Sequence, residues 1–114
     1  DIYFLNFLPS NYNDPKLRLI NLNNNKLRFL NFTSNIYLVK LKDLFLAHNQ
    51  IEYLSQNNFR NLSSLENLDL SNNKILKIER NTFGIRSLKI LNLRTLNLDS
   101  NFTFDLSSFT TSLT

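Results

Sequence analysis

Apolar residues recur along the middle of this chain in a fixed phase. Leu17, Ile20 and Leu22 are followed by Asn25 and Leu27. The same spacing returns as Leu41, Leu44, Leu46, Asn49 and Ile51, and again as Leu65, Leu68, Leu70, Asn73 and Ile75. The three asparagines are equally spaced. Alternation such as Leu44-x-Leu46 places two side chains on one face of a short strand. Leu41, Ile51 and Leu54 carry that apolar face round the bends of a coil. One coil cannot bury such a face alone, but stacked coils can, with their strands aligned in a parallel sheet. The pattern therefore predicts an α/β-type solenoid, with a parallel concave sheet and a mostly irregular convex side. The asparagine follows the strand where the chain must turn. Its amide both donates and accepts, so it can satisfy backbone groups that the turn leaves unpaired. Asn25, Asn49 and Asn73 are expected to form such a ladder.

The second half of each period sharpens the frame. Leu54, Phe59 and Leu62 follow Ile51, and Ile78 and Phe83 follow Ile75. The full frame is L-x-x-L-x-L-x-x-N-x-L-x-x-L-x-x-x-x-F-x-x-L-x-x. It resembles the typical 24-residue leucine-rich repeat of animal extracellular proteins, and in particular part of a Toll-like receptor ectodomain. The resemblance is strong over residues 17 to 83 and weak on the flanks. It implies a horseshoe segment in which the phenylalanine fills the convex side. It also implies a glycoprotein receptor or secreted binding protein, a protein ligand met on the concave face, and a place in innate immunity. An intracellular scaffold or adaptor is the alternative. A nucleic-acid sensor is a third reading, raised only by some Toll-like relatives.

The flanks depart from the frame. The first repeat has Asn35 where the phenylalanine should stand, with Ile36 one residue out of step and Leu38 in step with Leu62. Past Phe83 two registers compete. Leu88, Leu91 and Leu93 fit a strand but put Leu96 at the ladder position. Leu93, Leu96 and Leu98 also fit and restore the ladder with Asn101. The second is preferred, with inserted residues around Gly84 to Leu88. This divides the chain into an irregular stretch 1–16 and repeats of about 17–40, 41–64, 65–92 and 93–114. Ile2 to Leu8 is apolar enough for one more coil or an edge strand, and Pro9 and Pro15 mark a turn.

At 114 residues and 42% hydrophobic, the chain is one array with a continuous core. No run approaches the length of a membrane span, and no targeting segment is visible. The absence of cysteine is awkward for an extracellular array, whose terminal coils usually carry disulfide caps. An internal piece of a larger array is the favoured explanation, and self-association through uncapped ends is then expected. Three acceptor sequons begin at Asn31, Asn61 and Asn101. About 20 asparagines, with the Ser/Thr content of the chain, give roughly three by chance, so the count does not indicate secretion. Asn31 and Asn61 are the glycosylation candidates. Asn61 falls on the convex side, whereas a buried ladder amide at Asn101 could not carry a sugar.

Charge and chemistry narrow the function. The net charge of +4 is not gathered on one face, so nucleic acid is not the expected partner. His48 is the single histidine and no cysteine is present, which nearly closes metal and thiol chemistry, and no cofactor is expected. Asp43 and Asp69 would lie on neighbouring coils of an open surface, with nothing to separate their pKa values. No enzyme is expected. The strand positions that point away from the core form rows across the sheet. They read Leu19–Asp43–Asn67, Asn21–Phe45–Asp69 and Asn23–Ala47–Ser71, with Asn24, His48 and Asn72 beside the last. Phe45 is the aromatic exception in a polar field, a candidate anchor for a protein partner, with Leu19, Asp43, His48 and Asp69 around it.

Overall fold

The computed structural model describes residues 4–5, 16–30 and 36–94. Among them the chain winds as a solenoid whose coils repeat a strand, a turn and a return segment. The concave sheet has four parallel strands in sequence order: β2 (Leu19–Asn21), β4 (Asp43–Phe45), β6 (Asn67–Asp69) and β8 (Ile90–Asn92). In each, the middle residue faces inward and its two neighbours face out. That follows from the period-two alternation of the apolar residues. Beyond the strands, backbone bonds continue between coils, as in Asn24 N–H to Ala47 O at 2.9 Å and His48 N–H to Ser71 O at 3.0 Å.

A second set of short parallel pairs forms on the return side. β1 (Phe4–Leu5) pairs β3 (Phe29–Leu30), and β5 (Tyr53–Leu54) pairs β7 (Lys77–Ile78). Within the stretch from Ile2 to Leu8, the described residues Phe4–Leu5 thus form a short strand beside β3. The convex side carries a 3₁₀ helix, Ile36–Lys40, and one turn of helix, α1 (Gln56–Phe59).

The core is the stack of framed leucines and isoleucines. Leu41, Leu44, Leu46, Ile51, Leu54, Leu62, Leu65 and Leu70 are completely buried. Phe59 and Phe83 fill the convex side of successive coils, with ring centroids 6.1 Å apart. In the first coil Leu38 is completely buried at the position of Leu62.

The register past Phe83 is the one not preferred from the sequence. β8 pairs Asn67 with Ile90, Leu68 with Leu91 and Asp69 with Asn92. Leu88 is buried at the position of Leu65, so the repeat starts there and not at residue 93. Continuous pairing with β6 decides this. The step from Leu65 to Leu88 is one position shorter than the step from Leu41 to Leu65, so the coil is shortened, not lengthened. Asn101, and Leu96 at the ladder position of this register, lie outside the described residues.

At Asn49 and Asn73 the turns are tied together by their amides. Asn49 is buried. Its Nδ2 donates to Leu46 O (3.0 Å) and Ala47 O (3.3 Å) in its own turn and to Leu22 O (3.0 Å) one coil back. Its Oδ1 accepts from Leu27 N–H at 3.0 Å. Asn73 repeats the set with Leu70, Ser71, Leu46 and Ile51. Asn25 is half-buried and donates to Leu22 O and Asn23 O. A second inter-coil tie lies on the convex side. Asn58 Nδ2 donates to Leu30 O at 2.9 Å. Thr82, at the equivalent place in the next coil, donates its hydroxyl to Glu79 O of its own turn at 2.7 Å, with Leu54 O of the preceding coil farther away at 3.4 Å. Replacing Asn49 with Ala leaves a buried N–H and three carbonyls short of a partner. Asn49→Ala is expected to lose about 1–3 kcal/mol in urea unfolding. A neutral variant would mean that water replaces the amide.

Candidate functional site

Position along the sheet decides which side chains can meet a partner. The pairing aligns Leu19, Asp43, Asn67 and Ile90 in one row, and Asn21, Phe45, Asp69 and Asn92 in the next. Adjacent rungs are about 4.8 Å apart, so both rows are continuous surfaces. Leu19 (48% exposed) and Ile90 (62%) stand out at opposite ends of the first row. Asp43 is half-buried and accepts a bond from the Asn67 amide. Asp69, one row over, is half-buried and engaged with its own backbone: its Oδ1 accepts from Ser71 N–H at 2.9 Å. The two aspartates occupy different rows and are bound to different partners, so they form no carboxylate pair.

The row through Phe45 has a structural rule that Phe45 breaks. Asn21, Asp69 and Asn92 each use a side-chain oxygen to hold the backbone N–H two positions on, at Asn23 (3.0 Å), Ser71 (2.9 Å) and Arg94 (3.0 Å). This is an Asx turn, which suits a chain leaving a strand. A phenyl ring cannot make that bond. In the second coil the equivalent donor, Ala47 N–H, is instead taken by Asn23 Oδ1 of the preceding coil at 2.7 Å. Phe45 itself is half-buried in the middle of the sheet. Ala47 and Ser71, expected on a solvent-facing third row, are buried, because the chain has already begun to curl inward there.

His48 sits just past the strand end, exposed, with φ 57°. Asn24 and Asn72 share this left-handed conformation at φ 59° and 55°. Asn and His are among the side chains found there most often outside glycine. His48 Nε2 lies 3.3 Å from Asn72 Nδ2, which aligns the row. Among the described residues no cluster of His, Cys, Asp or Glu could hold a metal, and no helix is long and apolar enough to cross a membrane.

Part of the accessible surface lies outside the rows expected from the leucine frame. Ile90 and Asn92 join the sheet rows only in the observed register, and the triplet Leu88, Leu91, Leu93 was the signal for it. On the return side Phe29 (56% exposed) and Tyr53 (45%) occupy equivalent positions of β3 and β5. Arg28 lies over the Phe29 ring at 5.9 Å and Lys77 over the Tyr53 ring at 6.0 Å. The Tyr53 hydroxyl bonds Glu79, which holds its pKa above the usual value of 10.0. The frame marks outward positions only on the concave strands, so this flank carries no comparable sequence signal. Of the glycosylation candidates, Asn61 is half-buried in the turn after α1, and Asn31 lies outside the described residues.

The bond from Asn23 to Ala47 makes a specific forecast. Asn23→Ala leaves the Ala47 N–H unsatisfied at a buried residue and is expected to cost about 1–3 kcal/mol. In a Phe45→Asn background the same change is expected to cost much less, since the introduced amide can close its own turn. A double-mutant cycle in urea measures the difference. Additive costs would show that the Asn23 bond does not replace the missing turn.

The repeating coils, the asparagine ties and the parallel sheet agree with what known proteins show. The family described as Leucine rich repeat matches residues 39–101. No curated protein and no solved structure matches the chain. The family match spans more than half of the sequence, across the coils in which the leucine frame, both buried asparagines and the stacked phenylalanines are found, and the chain belongs to the leucine-rich-repeat family.

Proposed function

We propose that this chain is a non-catalytic recognition module that binds a protein ligand through its concave sheet, with Phe45 as the anchor. Membership of the leucine-rich-repeat family points to protein interaction. The observation that carries the choice of site is the broken row. Three coils place Asn or Asp where the second places Phe45, and the preceding coil must lend Asn23 to satisfy the backbone. An aromatic there does not serve the turn, so its use lies on the outer surface. A partly exposed ring flanked by Leu19, Asp43, Asp69 and His48 offers apolar area with a polar rim, the usual composition of an interface hot spot.

The module is read as part of an extracellular receptor or secreted binding protein, on the strength of the phenylalanine-bearing frame. The lack of cysteine favours a second reading, an intracellular scaffold or adaptor. Glycan occupancy separates them. On chain purified from its native source, mass spectrometry is expected to find Asn61 glycosylated. A bare Asn61 would favour the scaffold.

For a protein partner captured by the wild-type chain, Phe45→Ala is expected to weaken binding by at least about 1 kcal/mol without loss of folded structure. Arg60→Ala, on the convex side, should leave that affinity unchanged. Calorimetric titration of both variants is the measurement. Full affinity in Phe45→Ala with loss in Arg60→Ala would move the site off the concave face.

A further inference from the structure

The convex side of this array carries a recess of about 330 Å³ between its second and third coils. Such a volume is at the small end of ligand pockets, which run about 300–1,000 Å³. Its origin is the shortened coil. Between Phe59 and Leu62 stand Arg60 and Asn61, whereas between Phe83 and the equivalent Ile85 stands only Gly84. Two side chains in one coil are thus matched by a single glycine in the next. A hollow remains where they would have packed.

The lining has a consistent chemistry. Phe59, Leu62 and Ile85 are buried and give an apolar base. Arg60 and Arg86 are exposed and enter from either coil, with Ser63 beside them. No acidic side chain is among the described residues that line the recess. Neither arginine takes part in an ion pair among the described residues. The Arg60 guanidinium donates to the Asn57 side-chain carbonyl, which steadies it without neutralising it. Two arginines lining a recess with an apolar base match a small molecule with an anionic head and a compact apolar body. Arginine donors suit tetrahedral oxyanions in particular, because their planar fork can bond two oxygens at once.

We propose that this recess binds a phosphate or sulfate monoester, with the oxyanion held by Arg60 and Arg86 and the ester's organic group seated on Phe59, Leu62 and Ile85. The site is separate from the concave sheet and does not depend on the protein partner proposed for it. Gly84 is the element that opens it. Its φ is not positive, so the backbone there accepts a side chain.

The test uses the whole chain, isotope-labelled, with phenyl phosphate, phenyl sulfate and phenol as probes. Titration with at least one of the two esters is expected to shift the amide signals of Gly84, Ile85 and Arg86 saturably, and phenol is expected to leave them in place. The tighter ester identifies which oxyanion the site takes. Arg86→Gln should weaken binding about tenfold. Gly84→Leu, which keeps both arginines, should abolish it by filling the hollow, with the amide signals of Asn49 and Asn73 unmoved as the check on folding. The proposal is overturned if neither ester shifts these signals, if phenol binds as well as the esters, or if Arg86→Gln binds as tightly as the wild type.

Discussion

Two successive inward turns of this protein, at Asn49 and Asn73, depend on an amide that is buried away from water. Where a coil leaves the concave sheet, its carbonyls and the facing N–H of the previous coil point at one spot. Water cannot reach that spot, and a hydrocarbon could not bond it. At Asn49 and Asn73 one side chain satisfies three carbonyls and one N–H, and spans two coils while doing so. The apolar stack supplies most of the driving force, but it is non-directional. Leucines alone would not fix how far one coil is shifted against the next. The asparagine bonds of Asn49 and Asn73 help to fix it, together with the backbone pairing of the strands that aligns the surface rows.

The convex side meets the same demand with less regular means. Asn58 and Thr82 stand at equivalent places, but the Asn58 amide bonds a carbonyl of the preceding coil, whereas the Thr82 hydroxyl closes its own turn at Glu79 O. The stacked rings of Phe59 and Phe83 fill the volume between. Where the spacing slips by one position at Gly84, the rings still stack, but the outer layer does not close, and the recess beside Arg60 and Arg86 results. Solenoids tolerate such slips because each coil contacts only its neighbours.

On the concave face one row position is not used by its own turn. A residue that closes an Asx turn is constrained by the backbone it serves. Phe45 is released from that constraint because Asn23 has taken over the bond. Its neighbours Asn21 and Asp69 are not released: each is already engaged with its own turn. Its row therefore presents one aromatic side chain free of its turn, set between polar groups whose orientations are already fixed. The fixed groups lose little entropy on binding, which favours affinity from a small contact.

The leucine frame and its asparagines were legible in the sequence because period and burial are tightly coupled: a strand face cannot be apolar at every second position and remain in water. Leu44, Leu46, Asn49, Phe59 and Phe83 lie where that logic puts them. So do the concave rows through Asp43 and Phe45, since pairing in register follows from equal spacing. Three things had to wait for the tertiary structure. The register of the last described coil was decided by backbone pairing between β6 and β8, a contact between segments that no local pattern contains. The roles of Asn21, Asn23 and Asp69 were invisible because a polar residue in a strand reads as solvent-facing whether or not it holds a turn. The recess between Arg60 and Arg86 arises from a length difference between neighbouring coils, and only stacking them turns a missing residue into a space.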